Sequence, residues 1–291
     1  MVLSSNLTVL INGGTSEVGS ELTRIFAKNG HNVIISSNNS EQSFEVQKEI
    51  FDELGMRVDM YIADYASEQE IKEMSEDIEN KYPELNLIIN NLSITSSEPL
   101  LSEDEIEVVF QTNYLSRFLL TNLLIPTLKT NKDARILDIV GDVSNKVSID
   151  FGNVNLDEIY SDDDAEIQAD LADIMYIQTL SEKLINTKIT ANSINPGKIV
   201  SEIHRQSATI NPFEMLWQQI THQMDSWTST SPEKVAQLVY KIAMNDALKV
   251  SGKHFIKGKP AKLPAFAAKR SNRDRLWTLS NELTESTFDI F

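Results

Sequence analysis

Short apolar runs recur along the 291-residue chain and alternate with stretches whose apolar residues fall at helical spacing. Residues 7–11, 33–35, 58–62, 87–89 and 136–140 have the length and continuity of strands that are covered on both faces. Between such runs, positions like Leu22, Ile25 and Phe26 mark one face of a helix. This alternation predicts an α/β fold, a doubly wound three-layer sandwich in which about seven parallel strands carry helices on both sides. No repeat, linker or low-complexity segment interrupts the pattern, so residues 1–291 are expected to form a single domain.

The first apolar run leads into Asn12-Gly13-Gly14-Thr15-Ser16-Glu17-Val18-Gly19 and then into a helical pattern. Strand, Gly-rich turn and helix make the opening unit of a dinucleotide-binding, Rossmann-type fold, in which the glycines allow a tight turn and close approach to a pyrophosphate. The turn resembles the T-G-x-x-x-G-x-G of the short-chain dehydrogenase/reductase family, with Asn12 in place of Thr and Glu17 in place of the middle Gly. Later segments continue the resemblance in order. Asp64-Tyr65 follow the third run, residues 87–93 are similar to the family strand that ends in N-N-A-G, and Asn113 matches the family's structural and catalytic Asn. Residues 135–141 resemble the strand that ends on the catalytic Ser. Residues 190–197, 231–237, 251–255 and 275–280 are similar to the retinol-dehydrogenase-like branch, and residues 200–291 are implied to hold its substrate-covering helices and last strand.

Counting backward from Pro196-Gly197 places Asp170-Leu171-Ala172-Asp173 on the family's K-L-A-N without a gap, so the family tyrosine, four residues earlier, lands on Glu166. None of the seven tyrosines is followed four residues later by a lysine. The resemblance therefore implies that the catalytic Ser, Tyr and Lys are replaced by Gly141, Glu166 and Asp170, leaving Asn113 alone of the four. In the family the tyrosine passes a proton to or from the substrate oxygen, and the lysine ammonium lowers the phenol's pKa from about 10 while holding the nicotinamide ribose. Asp170 reverses that charge, and Gly141 has no hydroxyl with which to polarise a carbonyl.

The same resemblance places cofactor contacts on Asn12, Gly13, Thr15, Ser16, Glu17, Val18 and Gly19 of the turn, on Asn38, Asp64 and Tyr65, on Asn91 and Ser93, and on Pro196, Gly197 and Ser201. Glu17 brings a carboxylate to the helix N-terminus where the pyrophosphate would sit. Two like charges about 4 Å apart cost roughly 1 kcal/mol in water and about 4 at an effective dielectric near 20, a loss of about tenfold to thousandfold in affinity. Asn38 stands where the branch that takes the 2′-phosphorylated cofactor has Arg, and Ser36 and Ser37 stand where an NAD-selective strand would end in an acid. No cofactor is expected, or NAD(P) only weakly.

Charge narrows the partners. With 43 acidic against 26 basic residues the chain carries −17, which argues against nucleic acid and anionic membranes and favours a basic protein surface or a cation. Cysteine is absent, excluding disulfides and thiol chemistry, and the four histidines are scattered without ligand spacing, so no metal site is expected. The first strand begins close to Met1, which leaves no room for a signal peptide or membrane anchor and predicts a cytoplasmic protein. Residues 212–227, with Trp217 and Trp227, fall where relatives cover their substrate and suggest an apolar small ligand. Relatives dimerise through two long helices that would here span about 104–129 and 164–186, implying a homodimer or a heterodimer with an active relative. The chain thus reads as a catalytically inactive scaffold that works by binding. The alternative is an NAD(P)-dependent oxidoreductase in which Glu166 carries the proton and Asn113 positions a water, and a third reading is carriage of an apolar ligand without turnover.

Overall fold

The structure, a computed structural model, describes residues 6–131, 133–199, 230–245 and 250–288. From the N-terminus the elements are β1 (Thr8–Asn12), α1 (Glu17–Lys28), β2 (Asn32–Ser37), α2 (Ser40–Leu54), β3 (Asp59–Ile62), α3 (Glu68–Lys81) and β4 (Leu85–Asn90). A one-turn helix α4 (Val108–Phe110) runs through a π-helical turn, Gln111–Leu115, into α5 (Ser116–Lys129). There follow β5 (Ala134–Ile139), α6 (Asp162–Lys183), β6 (Ile189–Asn195), α7 (Pro232–Ala243), β7 (His254–Ile256), β8 (Lys259–Ala261) and α8 (Arg270–Leu283).

The strands form one sheet in the order β3-β2-β1-β4-β5-β6-β7-β8. Seven are parallel, as the alternation predicts, and an eighth short strand pairs antiparallel with β7. That hairpin turns on Lys257 and Gly258, both in the left-handed region with φ 49° and 80°, the conformation of a two-residue turn that matches strand twist. Its Pro260 lies on the outer strand, where no further neighbour needs the missing N–H. The apolar pattern had no way to announce β8, whose residues are all partly or fully exposed.

Polar side chains start the helices. Ser16, Asn39, Ser67, Ser161 and Ser231 each accept a bond from the amide three residues on, satisfying donors that have no partner in the first turn. One core layer packs α1, α2 and α7 on the sheet, with Phe26, Val46, Ile50 and Val239 against Val9, Ile11 and Ile35. The other carries α3, α5 and α6, with Phe118, Leu124 and Ile177 over Ile88 and Ile136. Helix α8 then covers the outer side of α5 and α6. Trp277 meets Phe118 edge-on at 5.3 Å and stacks on Tyr176 at 6.1 Å, and the Tyr114 and Ser280 hydroxyls are bonded.

The strand order reverses between β1 and β4, which open a crevice at their carboxyl ends. Ligands of doubly wound sheets bind at such a switch point.

Candidate functional site

The Gly-rich turn at the end of β1 keeps the geometry of a dinucleotide-binding turn. Gly13 sits at φ 74°, and a Cβ on Gly19 would lie 2.1 Å from the Gly13 carbonyl oxygen, so α1 can pack this closely on the turn only with glycine there. Ser16 caps α1 by accepting from Gly19 N and donates to Gly13 O, while Asn91 Nδ2 donates to both Gly13 O and the Ser16 hydroxyl. Thr15 bonds the Ser37 hydroxyl, and Val18 is buried beneath the turn. Glu17 is the first residue of α1, at the helix end where a pyrophosphate would have to approach.

Toward the adenine side the expected contacts divide. Asn38 is exposed, and Asp64, also exposed, accepts from Ala66 N as a turn residue. The Tyr65 side chain is buried, with its hydroxyl donating to Ser36. Asn12 is likewise buried at the end of β1, accepting from the Ser36 hydroxyl and donating to Asn90 Oδ1. Ser201 and the segment 212–227 lie outside the described residues.

At the other end of the crevice a cavity of about 170 Å³ gathers Asn91, Ser93, Asn113, Gly141, Glu166, Asp170, Pro196 and Gly197. Seven of the expected contacts and vestigial positions thus meet Asp170 in one place, as the register requires. A larger groove of about 700 Å³, lined by Asp133, Ile185 and Thr190, lies at the opposite end of β5 and β6, where these sheets do not bind ligands.

The chemistry of the cavity is altered in a coordinated way. Asp170 accepts a bond from the Gly141 amide. A Cβ on Gly141 would stand 2.3 Å from Asp170 Oδ2, so no serine fits there while Asp170 holds its position. The Asp170 carboxylate fills the space that a side chain on residue 141 would need. Burial raises the pKa of Asp170, the Gly141 amide and the Arg117 guanidinium oppose this, and Asp142 adds to it. Glu166, one turn earlier, is raised by burial first and then by the carboxylates of Asp170, Asp163 and Asp162. Asn113, in the π-helical turn, bonds Ile94 twice, accepting from Ile94 N at 2.8 Å and donating to Ile94 O at 2.9 Å. These two bonds fasten a loop and leave one N–H of the amide for a further partner.

Below the cavity lies a charged cluster that the motifs do not reveal. Arg117, buried on α5, donates through Nη1 to Asp173 Oδ2 at 2.6 Å and to Ile139 O at 3.0 Å, and through Nη2 to Leu92 O. Asp138, buried on β5, accepts from Asn90 Nδ2 at 2.7 Å. Three carboxylates thus face one guanidinium, and Arg117 Nε, Asp138 Oδ2 and Asp173 Oδ1 are buried without a hydrogen-bond partner. Desolvation pushes Asp138 up to about 6 and Asp173 well above the usual range, against the pull of Arg117. The available signal was a single arginine in an otherwise apolar helix and aspartates within apolar runs, since charges in such settings must pair. Among the described residues no group of His, Asp or Glu is arranged to hold a metal ion, and no helix is long and apolar enough to cross a membrane.

A dinucleotide-binding sheet with its crevice at the β1–β4 switch point defines the class. A model of the short chain dehydrogenase family matches residues 7–152, and the chain belongs to that family, in its retinol-dehydrogenase-like branch. It is 31% identical to the short-chain dehydrogenase TIC 32 A, chloroplastic, of Brassica napus, over 97% of this chain and 90% of that protein. It is 29% identical to retinol dehydrogenase 13 of Mus musculus, over 95% and 83%. Among solved structures, a Mycobacterium paratuberculosis protein of unknown role superposes with a TM-score of 0.74 at 20% identity, covering 98% of this chain and 95% of that one.

The family's nicotinamide cofactor can be tested against these residues. The turn is shaped for a pyrophosphate, and Asp170 and Glu166 line the other end of the crevice, where the resemblance implies a lysine and a tyrosine. These residues do not fit the group, and no step of a hydride transfer can be derived from them.

Proposed function

We propose that this protein is a catalytically inactive member of the short-chain dehydrogenase family that acts as a binding, regulatory or assembly scaffold. The observation that carries the reading is the Gly141–Asp170 contact, in which the group replacing the lysine occupies the volume of the serine hydroxyl. Loss of one catalytic residue could be a local change, but here the two replacements are sterically interdependent. The lining, which mixes apolar residues with Arg117, Glu166 and Asp170, has no phenol, no hydroxyl at position 141 and no cation at position 170, the three groups that move a proton in the family. The reading takes the chain as one domain in the cytoplasm, supported by a single continuous sheet and a cysteine-free composition. A protein partner follows from it, because a scaffold works by what it binds.

The runner-up, an oxidoreductase with Glu166 as proton carrier, draws support from one feature, the raised pKa of Glu166. Against it stands the lining of the cavity, in which Glu166 has Asp170 and no lysine beside it. The test is NADPH or NADH oxidation with all-trans-retinal and a panel of simple aldehydes and ketones. No rate above the protein-free blank is expected, and turnover that a Glu166→Gln variant abolishes would establish the runner-up.

A further inference from the structure

Two loops at the carboxyl end of the sheet stand side by side and share an unusual surface. One runs from the end of β4 to α4, the other from β5 to α6. They are pinned together by Tyr160, whose hydroxyl donates to Ser96 O at 3.0 Å and Glu107 Oε1 at 3.2 Å, and by Asn155, which donates to Glu105 O and accepts from Glu107 N. Leu101 forms a bridge with Glu107, and Ile159 precedes Tyr160, so an apolar residue of each loop flanks the contacts that pin them. Glu105 and Leu156 hold left-handed backbone at φ 61° and 56°, which neither residue favours, so the pinning of the loops is maintained against local preference.

On this joined surface Leu100, Leu101 and Ile159 are 52%, 56% and 81% exposed. Around them, Glu98, Glu103 and Glu105 project from the first loop. Asp157, Glu158 and Asp162 project from the second. No Lys or Arg occurs between Lys81 and Arg117, or between Lys146 and Lys183, and Arg117 is buried. Lys146 is the basic residue within the second loop, and Arg275 lies beside it, over the Phe151 ring at 4.7 Å. Exposed aliphatic residues on two pinned loops that also carry exposed acids are unlike the scattered apolar residues of an ordinary surface.

Resting on the scaffold reading, we propose that this two-loop face docks a basic amphipathic segment of a partner protein, with Leu100, Leu101 and Ile159 meeting its apolar side and the surrounding carboxylates its lysines and arginines. Charge selects this occupant. A second copy of the chain also carries −17 and would present like charge, and nucleic acid or an anionic membrane would be repelled. The preformed loops receive the segment without ordering themselves, so the apolar anchors set the affinity and the acids set partner choice and salt dependence.

The experiment is fluorescence anisotropy with a labelled peptide of leucine and lysine at amphipathic helical spacing, titrated with the full chain at low and physiological salt. Leu100→Ser/Leu101→Ser/Ile159→Ser, and separately Glu103→Lys/Asp157→Lys/Glu158→Lys, should each weaken binding by about tenfold or more. Phe44→Ser/Phe51→Ser on α2, which removes another exposed apolar pair, should leave it unchanged. No binding by the native chain, or equal losses in the α2 variant, would overturn the docking face. Circular dichroism of each variant checks that the fold persists. NADPH oxidation is followed on the same samples: turnover with peptide binding retained refutes the scaffold reading alone, and lack of both refutes the docking face alone.

Discussion

Replacing Arg117 by methionine removes the one cation that faces Asp138, Asp170 and Asp173. The Arg117 and Asp173 side chains are 3% and 1% exposed and 2.6 Å apart, so water cannot take the place of the lost charge. Removing one partner of such a pair leaves an uncompensated buried carboxylate and costs about 3–5 kcal/mol. Two backbone acceptors, Ile139 O and Leu92 O, also lose their donor, which keeps the expectation toward the upper end of that range. With a urea slope of about 3 kcal/mol/M, the unfolding midpoint at pH 7 should fall by more than about 1 M. The deficit should shrink at pH 5, where the aspartates can bind protons in place of the missing cation. Arg117→Met/Asp173→Met, which removes both charges, should lie much closer to the native protein than the single variant does. A single variant within about 1 kcal/mol of native at pH 7 would refute the electrostatic account of the cluster.

Three further outcomes follow from the same geometry. Asp138 has its folded-state pKa raised to about 6 against about 3.9 unfolded, so its protonated form stabilises the fold below the unfolded value and that contribution, about 3 kcal/mol, is lost as pH rises through about 6. Urea titrations at a series of pH values should show this decline in the native protein and a flatter profile in Asp138→Asn, and equal slopes would count against it. Gly141→Ser should destabilise by about 1–3 kcal/mol through overlap with Asp170, and combining it with Asp170→Ala should recover most of the loss, so simple additivity in thermal melts would contradict the contact. Asn113→Leu should lower stability by about 1–3 kcal/mol, because the half-buried Ile94 N–H and C=O lose their partners. A variant as stable as native would mean that Asn113 is not a fastener.

Much of this arrangement was legible in the chain itself. Buried strands such as β1 and β4 are continuous apolar runs because both faces are covered, and the helices begin at Ser or Asn residues that can cap them. Gly141, Glu166 and Asp170 line one cavity, since residues fixed by a strand end and one helix turn converge at a switch point. What stayed hidden depends on contacts that one-dimensional patterns do not carry. Tyr65 follows an aspartate at the expected place, yet its side chain turns inward to Ser36. β8 is too short and exposed for periodicity to mark, and only the Lys257-Gly258 turn reveals it. The long helix expected from about residue 104 begins at Val108 and passes through a π-helical turn, which aims Asn113 at Ile94. Nor does amphipathic spacing tell which helix covers another, so α8 across α5 and α6 had no sequence signal beyond an aromatic-bearing helix at the chain end.

The most direct test of the inactive-scaffold account is calorimetric titration of the native protein with NADH and NADPH to about millimolar concentration, beside Glu17→Gly. The account predicts no heat from the native chain, because the nicotinamide end of the crevice holds Asp170 and Glu166 where a cation and a phenol would stand. Micromolar binding of either nucleotide by the native protein would contradict it.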